Sequence, residues 1–153
     1  MPTPWETPIR AGRQLTIAPG PSLAGSGWAA VLPNAITEFN RLSTANTLGV
    51  TFVPSTTRPD PNGPGGASVQ FDIGNGTLTF TSFGTQFSLT VDGNALIGHT
   101  QVVQTVFGNV QRIAKAFIFV PATPRAGGPT GRVIGDPAKL VMAVHEFIHA
   151  CGL

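Results

Sequence analysis

Apolar and polar positions alternate in short runs over most of the chain and change to helical spacing in two places. Leu15 and Ile17 alternate with polar neighbours over residues 13–18, which predicts a first strand closed by Pro19-Gly20-Pro21. The Pro-rich, polar residues 1–13 before it read as an extended lead-in. Trp28, Val31, Leu32, Ala35, Ile36, Phe39 and Leu42 then recur at i, i+3, i+4, i+7 spacing and predict a helix over 28–42 with one buried face. Pro33 falls inside that pattern, so it either kinks the helix or marks the start of its regular part. Residues 48–53 predict a second strand ended by Pro54, and residues 55–66 a loop.

Val69, Phe71 and Ile73 give a third strand, and Gly74-Asn75-Gly76 a turn. Leu78 and Phe80, then Phe87, Leu89 and Val91, continue the two-residue period to a turn at Asp92-Gly93-Asn94, with a further strand over 95–103. Residues 68–103 therefore read as a string of short, mainly antiparallel strands, and 104–114 as a short helix or an irregular link. Residues 115–120 are almost wholly apolar, as in a strand buried on both faces. A loop over 121–135 ends at Asp136-Pro137, which reads as a helix start with Asp136 as N-cap and Pro137 in the first position.

The last helix carries the chemistry. At about 100° per residue, Leu140, Val144, Phe147, Ile148 and Cys151 share one stripe that should pack on the sheet. His145 and His149 lie within about 40° of each other and more than about 100° from the middle of that stripe, with Glu146 beside them on the side away from it. Two imidazoles one turn apart form a bite for Zn²⁺, and the glutamate between them is placed to take a proton from water at the metal. Catalytic zinc takes three protein ligands; Cys151 is a further candidate on the same helix, and His99 is the only other histidine. Cys151 falls on the apolar side of the helix and reads as a small core side chain. His99 lies in the predicted strand 95–103, where it contacts substrate or a second metal, or is an ordinary surface or hydrogen-bonded histidine.

The run His145-Glu146-Phe147-Ile148-His149-Ala150-Cys151-Gly152 resembles the H-E-x-x-H-x-x-G-x-x-H motif of the metzincin zinc metallopeptidases. The resemblance implies an α/β (α+β) fold, a twisted, mostly parallel sheet with one antiparallel edge strand packed on two long helices, as in that family's upper subdomain. It implies Zn²⁺ as cofactor, His145 and His149 as metal ligands, Glu146 as general base, and a protein or peptide substrate held along strand 95–103, where His99 would touch it. The family's motif ends in a third histidine beyond the glycine. This sequence stops at Leu153, so residues 1–153 read as one domain, the N-terminal part of a zinc endopeptidase catalytic domain, incomplete and inactive by itself.

Composition narrows the alternatives. The net charge is +2 and the nine basic residues are scattered, with no basic stripe interleaved with aromatics, which argues against nucleic acid. No apolar run reaches membrane-spanning length. The start, Met1-Pro2-Thr3-Pro4-Trp5, lacks the pattern of a signal peptide; the reading leans to a secreted protein whose leader is not in this sequence. One cysteine rules out an intrachain disulfide. The loop around Asp60 has too few carboxylates for a calcium loop. Two other readings compete with the peptidase: a non-catalytic, protease-like structural or binding module, and a β-rich surface-binding domain suggested by the Gly/Thr-rich strands. The second leaves the terminal helix unexplained.

Overall fold

The computed structural model describes residues 2–153. In chain order its elements are α1 (Thr7–Gly12), β1 (Gln14–Pro19), α2 (Val31–Ala45), β2 (Thr51–Pro54), β3 (Val69–Gly74), β4 (Gly76–Ser82), β5 (Thr85–Val91), β6 (His99–Phe107), β7 (Val110–Pro121), β8 (Arg125–Ala126), β9 (Arg132–Val133) and α3 (Asp136–Ala150). Five strands form the main sheet in the order β2-β1-β3-β7-β6. The first four run parallel, and β6 closes one edge antiparallel to β7. The fold is thus mixed α/β with a mostly parallel sheet, one antiparallel edge strand and two long helices.

The period-2 pattern of β7 divides the molecule into two apolar layers. Ala116, Ile118 and Val120 point into the larger core, shared with α2 and α3. Phe117 and Phe119 point the other way, where the β4–β5 hairpin covers them and Phe80 lies 4.8 Å from Phe117, centroid to centroid. Burial on both faces explains why residues 115–120 are nearly all apolar. In the larger core Phe147 of α3 stacks on Phe52 of β2 at 4.5 Å and meets Phe39 and Phe71 edge-on, each at 6.0 Å. Trp28 is fully buried and its indole N–H donates to the Pro121 carbonyl at 2.8 Å. Pro33 occupies the first turn of α2, where a missing N–H costs nothing, so it marks the start of the helix.

Several local expectations are corrected. The lead-in is not extended throughout, since residues 7–12 coil into α1. Only β4 and β5 in the 68–103 stretch pair as an antiparallel hairpin; β3 is an inner, parallel strand of the main sheet. The edge strand begins at His99, not Ala95, and runs on to Phe107. Residues 104–114 are neither helix nor irregular link, because Gly108-Asn109 makes a two-residue hairpin turn between β6 and β7. Gly108, at φ 62, supplies the positive φ that such a turn needs at its first central position. Asp136 does not cap α3: Gly135 holds the N-cap position, and no side chain bonds to the first turn there. Asp136 instead places its charge in the first turn, where it favours the helix dipole.

Candidate metal centre

The helix α3 is fixed at both ends before its chemistry begins. Its last turn is tied down by Trp5, whose indole N–H donates to the Ala150 carbonyl at 2.9 Å, one of the acceptors a helix end leaves unpaired. Gly152, at φ 87, ends the helix, and its N–H donates to the His149 carbonyl at 2.9 Å. A side chain at Gly152 would collide with the Thr3 carbonyl, 2.1 Å from where a Cβ would stand.

The buried face of α3 is turned from the predicted one. Lys139, Ala143, Glu146, Phe147 and Ala150 are buried, while Ile148 is exposed and Leu140, Val144 and Cys151 are half-buried. That is a rotation of roughly 100° about the helix axis. The physical reason is size. Ala143 and Ala150 let the helix approach closely, and Phe147 fills the space between α2 and the sheet. Glu146 therefore does not lie on the far side from the packed stripe; it is part of the packed face, 3% exposed.

His145 and His149 stay on the exposed front. Their Nε2 atoms converge to 3.0 Å with the rings near perpendicular, at 86°. At that distance one Nε2–H donates to the lone pair of the other ring, and a metal ion could take the place of that proton. The pair fits zinc: bonds of about 2.0–2.1 Å in a tetrahedral site set two nitrogens about 3.3–3.4 Å apart, a few tenths wider than here. Nδ1 of His149 lies 3.2 Å from the Leu153 carbonyl. Donation of Nδ1–H to that oxygen leaves the Nε2 lone pair free for a metal, the usual outer-shell arrangement of a ligating histidine.

Glu146 points to β6. Thr100 Oγ1–H donates to its Oε2 at 2.6 Å, and the same hydroxyl lies 3.3 Å from the Glu146 main-chain carbonyl. Oε1 accepts no hydrogen bond, yet among the described residues the only enclosed side-chain polar atom without a partner is Arg112 Nε. Oε1 therefore keeps some of the small exposure that Glu146 retains. Gly98 gives the carboxylate its room, since a Cβ there would stand 3.1 Å from Glu146 Cγ and 3.2 Å from Cδ.

The structure does not bring His99 to the pair. Strand side chains alternate, and Thr100 faces α3, so the exposed His99 belongs to the opposite face of the sheet. Cys151 packs against the core, and burial pushes its thiol up to about 12, so it remains a neutral thiol at neutral pH. Among the described residues no group of three or more His, Cys, Asp or Glu gathers as a metal cluster. Sequence reasoning missed Thr100 and Gly98. The signal was there in Gly98-His99-Thr100, a small residue and a hydroxyl on one parity of a strand beside the helix.

No helix of the described residues is long and apolar enough to cross a membrane. A scan against protein-family models finds no match to this chain. Searches of the curated proteins and of the solved structures likewise give no match.

Proposed function

We propose that this chain carries the zinc helix of a metzincin-type endopeptidase, with His145 and His149 as two metal ligands and Glu146 as general base. One observation carries the reading: two exposed Nε2 atoms converge to 3.0 Å on a helix whose back is locked into the core. The antiparallel edge strand beside that helix supports the resemblance to the family's upper subdomain.

Bound at the pair, zinc supplies Lewis acidity that polarises a peptide carbonyl and lets water lose a proton near neutral pH. Glu146 would serve as the base through Oε1, the oxygen that Thr100 does not hold, taking a proton from water and returning it to the departing amine. His149 is oriented by the Leu153 carbonyl. The substrate strand lies along β6, whose outer edge has no neighbour in the sheet. Among the described residues no third ligand group gathers at the pair, and His99 stands on the other face of the sheet.

A second reading, a protease-like module without catalysis, is favoured by the missing cluster of three ligand groups among the described residues. Peptide cleavage separates the two. The 153-residue chain itself should turn over no peptide with zinc added. A longer chain supplying a third histidine after Gly152 should do so, and Glu146→Ala should abolish that turnover with zinc retained. Turnover that survives Glu146→Ala excludes it as the base. A longer chain that holds zinc through three histidines and cleaves nothing favours the module.

A further inference from the structure

We infer that Thr100 is a positioning residue for Glu146, and that Gly98-His99-Thr100 at the start of β6 is the seat that aims the free carboxylate oxygen outward. The inference rests on the peptidase reading for its purpose, but its geometry stands without it. A glutamate has three side-chain torsions before its carboxylate, so a helix position alone fixes Cβ and leaves the two oxygens free to wander among staggered rotamers. Three features remove that freedom here. The side chain is almost wholly buried, so most rotamers meet neighbouring atoms. Gly98 packs against it without a side chain, where a Cβ would stand 3.1 Å from Cγ and 3.2 Å from Cδ of Glu146. Thr100 Oγ1–H then holds Oε2 at 2.6 Å, a charge-assisted bond that is directional and short.

The consequence is a division of labour between the two oxygens. Oε2 is committed to the strand, while among the described residues Oε1 has no partner and keeps some contact with solvent. A general base must present one oxygen within hydrogen-bond reach of the proton it takes, and about an ångström of drift in such a group is costly. The seat also couples the edge strand to the helix. A peptide laid along β6 would pair with the same backbone that holds Glu146, so substrate position and base position share one element. On this account the residue of β6 that serves the centre is Thr100, on the α3 face, and not its neighbour His99.

The test is the rotamer state of Glu146, read in metal-free protein by three-bond side-chain couplings in solution NMR. The unmodified chain should give couplings of a single rotamer. Thr100→Val, which keeps the shape and removes the hydroxyl, should give values averaged over staggered rotamers. Thr100→Ser, which restores the hydroxyl, should return the single-rotamer values. Backbone amide shifts away from α3 and β6 should not change, which separates positioning from general loosening. Single-rotamer couplings in Thr100→Val would overturn the inference. If that variant does not fold, the unmodified chain still decides: the Thr100 hydroxyl proton should give a slowly exchanging resonance, and its absence through fast exchange would count against the bond. Zinc titration of the same samples keeps the two readings apart. A chain that binds no zinc yet shows the coupling pattern counts against a metal site at the His145–His149 pair and leaves the seat standing.

Discussion

At one edge of the sheet Asn40 reaches across from α2 and takes both main-chain groups of Phe52 in β2. Its Nδ2 donates to the Phe52 carbonyl at 2.9 Å, and its Oδ1 accepts the Phe52 N–H at 2.8 Å. At the other edge β6 runs for nine residues with no strand beyond it. The amide of Asn40 stands in for a neighbouring strand, which leaves that side without the paired donor and acceptor that would template another chain. The opposite edge keeps its template, and it is the edge beside Glu146. One edge of the sheet is thus closed by a side chain, and the other, next to the candidate centre, is open to pairing.

The largest test of that contrast is at the closed side. Phe147 joins α3 to β2 through Phe52, so Phe147→Ala should cost about 3–5 kcal/mol in urea unfolding, the range for emptying an aromatic core site. A loss below about 1 kcal/mol would mean that the helix is not anchored through the aromatic cluster. Next comes the seal. Asn40→Ala leaves the Phe52 N–H and C=O unpaired and should cost about 1–3 kcal/mol. It should also bring concentration-dependent association by light scattering, whereas a monomeric variant of unchanged stability would remove the sealed-edge account.

The open side predicts smaller effects on stability. His145→Ala touches an exposed side chain and should change the unfolding free energy by no more than about 0.5 kcal/mol. A larger loss would make the pair structural. Between the edges, Asp72 in β3 serves as a control. Burial raises its carboxyl above the ordinary value, against the N–H bonds it accepts from Ser22 and Ile73. The folded state then binds its proton more tightly than the unfolded one. Its contribution is greatest below about pH 4 and is lost as pH rises from there through the raised folded value. Asp72→Asn keeps an acceptor for both N–H groups, so its urea midpoint should lose that part of the slope. An unchanged slope would assign the pH response to other groups.

Much of this was written in the order of residues. The alternation at Leu15 and Ile17, the helical spacing from Val31 to Phe39 and the apolar run at 115–120 locate β1, α2 and β7, because each pattern answers to a single burial requirement. The facing of α3 was not legible. Leu140, Val144, Phe147, Ile148 and Cys151 form a tidy apolar stripe, yet close packing selected the face with Ala143 and Ala150, and helix periodicity is blind to the size of what it meets. The β6–β7 turn, by contrast, is local and legible, since Phe107 pairs with Val110 directly across Gly108-Asn109, a two-residue hairpin signal that was passed over. For the centre, His145, Glu146 and His149 are local in sequence and could be read directly. Thr100 is 46 residues from its partner, and no spacing rule reaches that far.

The most direct test of the central claim is a zinc titration of the 153-residue chain beside its His145→Ala variant, followed by calorimetry and metal analysis. The account predicts one zinc per chain, bound more weakly than at a three-histidine site, with the binding lost in the variant. Zinc held equally well by His145→Ala would place the metal elsewhere and contradict the account.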